Sequence, residues 1–159
     1  MDTLVYELRE IQLKRKAARE QLAAFLACHG LTLDPLLERY FGIFRSEELV
    51  AGAGYDHNVI KCAAVDDSLR GEGLLNALVS HIIAELVNQG ILDAMVFTKA
   101  INRDIFCSLG FTEIAATDDV TLLTNAPARL HAFQDRLAAA KGDGQNCAIV
   151  MNCNPFTLG

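Results

Sequence analysis

The chain has 159 residues, room for about one domain, and its 52% hydrophobic and 21% charged content excludes a globally disordered polymer. A net charge of −6, pI ≈ 5.1 and mean hydropathy of +0.23 argue against a broad nucleic-acid surface, while leaving room for a small anion site made of backbone amides. No run approaches the ~18 apolar residues of a membrane span. The start Met1-Asp2-Thr3 lacks the features of a signal peptide, and five cysteines without metal or redox spacing fit reduced thiols in the cytoplasm.

In chain order, Leu4, Leu8, Ile11, Leu22, Phe25 and Leu26 recur at three- and four-residue steps and predict a helix over 3–29 that stops at Gly30. Lys14-Arg15-Lys16 reads as its solvated face. Asp34-Pro35 opens a predicted short helix to about Tyr40. Strands follow at 41–45 and 49–55, joined by Ser46-Glu47-Glu48, and a third strand covers 59–65 after the turn Asp56-His57-Asn58. The paired apolar residues Leu74/Leu75, Leu78/Val79, Ile82/Ile83 and Leu86/Val87 mark a helix over 72–89 with one buried stripe, closed by Gly90. A strand at 93–98, a short helix at 102–108, strands at 111–116 and 120–124 and a helix from Pro127 complete the pattern. Strand, helix and strand between 59 and 98 form a βαβ unit. The fold class is therefore α/β (α+β) with a mixed sheet. After the linker-like Lys141-Gly142-Asp143-Gly144 comes a predicted short strand, 147–151, which reads as the start of a second domain.

Two constellations carry chemistry. The first runs from the strand end Ala63-Ala64-Val65 through Asp66-Asp67-Ser68-Leu69 to Arg70-Gly71-Glu72-Gly73-Leu74-Leu75, at the start of the long helix. Amides at a helix start point outward with partial positive charge, glycines let the backbone approach a ligand, and Arg70 adds a cationic fork. This combination suits a pyrophosphate; the bare pattern equally fits an ordinary glycine-containing loop that starts a helix. The second is Asn102-Arg103-Asp104-Ile105-Phe106-Cys107-Ser108-Leu109-Gly110-Phe111. Cys62 and Cys107 read as small core residues. His29, His81 and His131 are scattered and form no ligand set, and no metal site is expected. Asp56 and His57 read as a polar turn.

Together the two constellations resemble the GCN5-related N-acetyltransferase (GNAT) family over roughly 35–125. The resemblance implies a mostly antiparallel mixed sheet flanked by helices. It also implies a coenzyme A site in which Ala63, Ala64 and Val65 meet the pantetheine arm and Arg70, Gly71, Glu72, Gly73, Leu74 and Leu75 cradle the pyrophosphate, with Asn102 and Phe106 beside it. Two positions depart from the family: Leu75 replaces a small residue, and Phe106 replaces a frequent tyrosine. Phe106 has no hydroxyl with which to protonate a leaving thiolate, and the strand 59–65 carries no carboxylate base.

The closing run Met151-Asn152-Cys153-Asn154-Pro155-Phe156-Thr157-Leu158-Gly159 is, by itself, a turn signal. It also resembles the first half of the ATP loop of nucleotidyltransferases, which implies a nucleotide site at Asn154, Pro155, Phe156, Thr157 and Gly159. A GNAT-like domain followed by this loop resembles the citrate lyase ligase family. The implied organisation is an N-terminal helical segment at 1–34, an acyl-CoA-binding domain at 35–125, a helix and linker at 126–144, and the truncated start of a nucleotidyltransferase domain at 145–159. The resemblance implies an ATP-cleaving acid–thiol ligase that makes acetyl-AMP from acetate and ATP, with magnesium. The acetyl group then passes to the thiol of the phosphoribosyl-dephospho-CoA arm on the citrate lyase acyl carrier subunit. Two other readings are a stand-alone acetyltransferase that moves acetyl from acetyl-CoA to a small amine, and a non-catalytic coenzyme A module.

Overall fold

The computed structural model describes residues 5–142 and 144. Strand pairing begins earlier than the apolar periodicity suggests. The predicted helix over 3–29 is two elements, strand β1 (Tyr6–Ile11) and helix α1 (Lys16–Cys28). Leu8 and Ile11 fit a helical step, yet β1 lies antiparallel to β2 (Arg39–Arg45) along its whole length, from Tyr6 opposite Arg45 to Ile11 opposite Tyr40. Side-chain pairs reinforce the register: Arg39 of β2 grips Glu10 of β1 through two bonds of 2.9 Å, and Arg9 of β1 meets Glu47 in the turn after β2 at 3.1 Å. Partners distant in sequence thus outweigh a local helical preference. The expected N-terminal helical segment is corrected accordingly.

The short helix predicted from Asp34 is also absent. Asp34 Oδ1 accepts a hydrogen bond from the Leu36 amide at 2.8 Å, a local turn, and the chain then enters β2 at Arg39. Leu37 and Tyr40, expected at the end of that helix, are instead buried beneath α1.

The remaining elements match the predicted types with shifted ends. They are β3 (Glu48–Asp56), β4 (Val59–Val65), α2 (Leu74–Asn88), β5 (Met95–Lys99), α3 (Arg103–Ser108), β6 (Thr112–Ala116), β7 (Val120–Thr124) and α4 (Pro127–Ala139). They build a seven-stranded sheet in the order β1-β2-β3-β4-β5-β7-β6. Only β4 and β5 run parallel, as a βαβ crossover requires. The strand expected at 147–151 lies outside the described residues.

Helices cover both faces. Leu74, Leu78, Val79, Ile82 and Leu86 of α2 pack with Phe41, Ile43, Val50, Tyr55 and Ile60 on one face. Leu22 and Leu26 of α1 pack with Ile11, Leu37, Tyr40, Leu49 and Ala64 on the other. Phe106 and Phe111 extend the first core edge-on, with ring centres 6.1 Å apart. Helix α4 buries none of its residues, and Phe133 and Leu137 are exposed. No helix among the described residues is long and apolar enough to cross a membrane.

One irregularity positions the site. Gly52 pairs with Ala64 and Gly54 with Lys61, so Cys62 and Ala63 together oppose the single residue Ala53. This is a β-bulge, and Cys62 occupies the left-handed region with φ 52°. The bulge reverses the alternation of faces: Ile60 belongs to the α2 core, while Cys62 and Ala64 join the α1 core.

Candidate functional site

The ladder between β4 and β5 covers only Val59 opposite Met95 and Ile60 opposite Val96. Past the bulge the two strands separate. The Asp66 amide donates to the Val50 carbonyl at 2.8 Å, and Ala64 pairs with Gly52, so these residues turn their polar groups toward β3. By alternation, the backbone groups of Ala63 and Val65 face the gap beside β5. The result is a cleft of about 430 Å³.

Ten of the eleven residues predicted for a coenzyme site line this cleft: Ala63, Ala64, Val65, Arg70, Gly71, Gly73, Leu74, Leu75, Asn102 and Phe106. Glu72 does not. Its carboxylate accepts a hydrogen bond from the Tyr6 hydroxyl at 2.6 Å, which holds the Tyr6 phenol above its ordinary range and ties the loop to β1.

The loop ahead of α2 is open. Gly73, the residue that starts the helix, is left-handed at φ 79° and ψ 7°, no side chain caps the helix start, and no acidic residue occupies its first turn. The first-turn amides have no partners within the helix. Gly71 has φ 90°, and a Cβ at either glycine would meet no atom within 4 Å. The chain therefore needs these glycines for their backbone angles, and the space in front of them is empty. Arg70 pairs with Asp67 at 2.7 Å, but both side chains are largely exposed. Such a pair is worth about 0–1 kcal/mol and exchanges easily for a stronger anion. Leu75 packs its side chain against the α2 core while lining the cleft.

The far wall comes from residues around β5 and α3. Asn102 donates from its side-chain amide to the Thr98 hydroxyl at 3.0 Å, which anchors the turn into α3. Phe106 is fully buried and forms part of the floor. Four lining residues stand out that sequence reasoning did not assign: His29 and Leu31 at the end of α1, Lys99 at the end of β5, and Ile101 after it. Ile101 is 85% exposed, an apolar lip at the mouth. The apolar lip has no sequence signature, and the end of α1 reaches the cleft only through tertiary packing.

Among the described residues, no aspartate or glutamate lines the cleft. Asp56, the last residue of β3, and His57, in the β3–β4 turn with φ 53°, sit at the other end of β4. Ligand atoms of Glu38, Asp56 and His57 lie within 4.8 Å of one another. Asp56 is already engaged there, by Lys61 at 2.9 Å and His57 at 2.7 Å. The Lys61 and His57 bonds hold the Asp56 carboxyl below its ordinary range, and the Asp56 bond raises the His57 imidazole. The turn is a self-satisfied polar cluster. Cys28 is exposed, whereas Cys62 and Cys107 are half-buried beside the two cores. Burial pushes the Cys62 thiol up, which disfavours the thiolate. The predicted nucleotide-site residues Asn154, Pro155, Phe156, Thr157 and Gly159 lie outside the described residues.

The fold finds parallels among solved structures. A GNAT-family acetyltransferase from Staphylococcus aureus matches with TM-score 0.62 at 14% identity, over 76% of this chain and 98% of that one. An acyl-CoA N-acyltransferase from Pseudomonas aeruginosa matches with TM-score 0.58 at 14% identity, over 78% and 100%. No protein-family model matches. Among curated proteins, the [citrate [pro-3S]-lyase] ligase of Klebsiella pneumoniae is 37% identical over 155 residues, 96% of this chain and 45% of that protein. The Escherichia coli ligase of the same name is 32% identical over 141 residues, 87% and 40%. The chain is a citrate lyase ligase homologue with the GNAT fold.

This citrate lyase ligase homologue spans less than half the length of the curated relatives it matches. Its cleft combines the strand gap with the glycine loop, and among the described residues no carboxylate and no tyrosine hydroxyl lines it.

Proposed function

We propose that this chain is the part of a citrate lyase ligase that holds the coenzyme-A-like arm of its acyl carrier substrate. The observation that carries the reading is the junction of three features in one cleft: a strand edge freed by the bulge, two glycines with positive φ, and an uncapped helix start. A strand edge suits the amides of a pantetheine arm. The helix start suits a pyrophosphate, with Arg70 as a displaceable cation. The apolar floor of Leu74, Leu75 and Phe106 suits the methylene chain between them.

The ligand we assign is the phosphoribosyl-dephospho-CoA arm of the citrate lyase acyl carrier, whose terminal group is a thiol. A thiol has a pKa near ~8.5 and already supplies some thiolate at neutral pH. A cleft without a carboxylate base or a tyrosine acid is therefore better matched to acylating a thiol than to acylating an ammonium group. In this reading, acetate activation by ATP and magnesium, with formation of acetyl-AMP, belongs to the rest of the ligase. The fragment of residues 1–159 is then expected to release no pyrophosphate from ATP and acetate.

The test is calorimetric titration of the chain with dephospho-CoA. Arg70→Ala and Gly73→Val are expected to weaken binding about tenfold or more, by removing a phosphate cation and by filling the space before the helix start. Equal affinity in both variants and the parent would show that the ligand sits elsewhere.

A further inference from the structure

We infer that His29 is the proton acceptor of the cleft and that it takes the proton of a thiol laid between β4 and β5; this rests on the arm-binding reading above. Helix α1 ends in a fixed geometry. The Gly30 amide donates to Ala27 at 3.0 Å, and the Leu31 amide donates back to Leu26 at 2.9 Å, with Gly30 at φ 64°. This is the double hydrogen bond of a Schellman end, and it sets the backbone of His29 rigidly at the cleft wall.

The ring is oriented as well. Nδ1 lies 2.8 Å from the Phe25 carbonyl, and the imidazole packs on the Phe25 ring with centres 4.6 Å apart. A carbonyl oxygen can only accept, so Nδ1 carries the hydrogen. In the neutral ring the lone pair is then on Nε2, which takes no hydrogen bond among the described residues.

Among the described residues, the cleft lining contains no carboxylate, tyrosine or cysteine. Arg70 and Lys99 are donors, and the Ser108 hydroxyl donates to the Ile105 carbonyl at 2.6 Å. Among the described lining residues, His29 is the one side chain that presents a basic ring nitrogen without a hydrogen-bond partner. In the step, the S–H bond of the thiol breaks, its proton bonds to Nε2, and the electron pair stays on sulfur. The product is a thiolate beside an imidazolium. The charged groups near His29 are Lys99 at the end of β5, whose Nζ bonds the His29 carbonyl, Asp66 just after β4, and Arg70 in the lining of the same cleft. Lys99 and Arg70 are cations that would stabilise a thiolate in the cleft.

The experiment loads dephospho-CoA onto saturating protein and follows alkylation of its thiol by iodoacetamide, with the coenzyme adduct quantified chromatographically across neutral pH. The parent is expected to alkylate the bound thiol about tenfold faster at neutral pH than His29→Asn does, because an ion-paired thiol holds more thiolate. Asparagine keeps a donor for the Phe25 carbonyl but has no basic nitrogen. His29→Gln should show the same loss, and both variants should shift the pH profile toward that of the free thiol. Parent-like rates and pH profiles in both variants, with the coenzyme bound, would overturn the inference. Absence of binding to the parent protein would instead overturn the arm-binding reading and His29 with it.

Discussion

Lys99 Nζ donates to the carbonyl of His29 at 3.3 Å, and so joins the end of β5 to the end of α1 across the mouth of the cleft. The carbonyl belongs to a helix terminus, where a cation is favoured. Lys99 is exposed, however, so Lys99→Met should cost less than about 1 kcal/mol. Urea unfolding measures it, and a loss above about 2 kcal/mol would mean that the bridge orders more of the domain than these contacts imply.

Gly73 permits a sharper comparison. Its left-handed angles penalise any residue with a Cβ, and nothing surrounds the site to add a clash. Gly73→Ala should therefore cost about 1 kcal/mol, from backbone conformation alone. Gly73→Asn should cost less, because asparagine tolerates this region and can cap the bare helix start. The expected order of urea midpoints is Gly, Asn, Ala. An alanine variant as stable as the parent would contradict the observed angles.

The legible part of this molecule was the part whose signals are local. The glycine loop, the α2 stripe and the Asn102–Phe111 run sit within short windows, and ten of the eleven residues they nominated share one cleft. Glu72 fell out because its partner, Tyr6, is 66 positions away on a strand whose existence depends on β2. The same dependence hid β1: Leu8 and Ile11 fit a helical step, yet in the strand they point to opposite faces, each against its own core, and only the pairing partner reveals this. His29 escaped notice because α1 meets the cleft through packing. The bulge at Cys62 was illegible too, since a cysteine at positive φ carries no turn signature.

Arg39 offers a test through pH. It holds Glu10 of β1 bidentately and also contacts Glu85 of α2, so it ties β1, β2 and α2 together. The Arg39 hydrogen bonds hold the Glu10 carboxyl below its ordinary value of 4.5. A depressed carboxyl stabilises the fold fully above its unfolded pKa, and that contribution is lost as pH falls through the folded value. Stability should thus decline below about pH 4.5. Asp34 and Asp56, both lowered and both bonded to Lys61, add to the decline at still lower pH. His57 acts oppositely: its raised pKa contributes below the ordinary value of 6.5 and fades as pH rises through the folded one. Arg39→Gln should lower the urea midpoint at neutral pH and flatten its fall in acid. An unchanged acid slope would show that Glu10 is not bound to Arg39 in solution.

Tyr40 connects the core to the cleft directly. Its ring is fully buried against Gly52, where an added Cβ would lie 2.5 Å from the ring, and its hydroxyl donates to the Cys62 carbonyl at 3.0 Å. That carbonyl belongs to the bulged residue, so the bond helps to hold β4 where it leaves β5. Burial raises the Tyr40 phenol well above its ordinary range, which keeps the hydroxyl protonated and able to donate. Tyr40→Phe preserves the packing and removes only the donor; the stranded carbonyl should cost about 1–2 kcal/mol. Gly52→Ala, by contrast, forces the ring to move in a closed core and should cost about 1–3 kcal/mol. Urea unfolding separates the two, and dephospho-CoA titration reads the consequence for the cleft. If the bulge sets the free strand edge, Tyr40→Phe weakens binding while the sheet stays folded. Unaltered affinity in a folded Tyr40→Phe variant would show that the strand gap is held open without that hydroxyl.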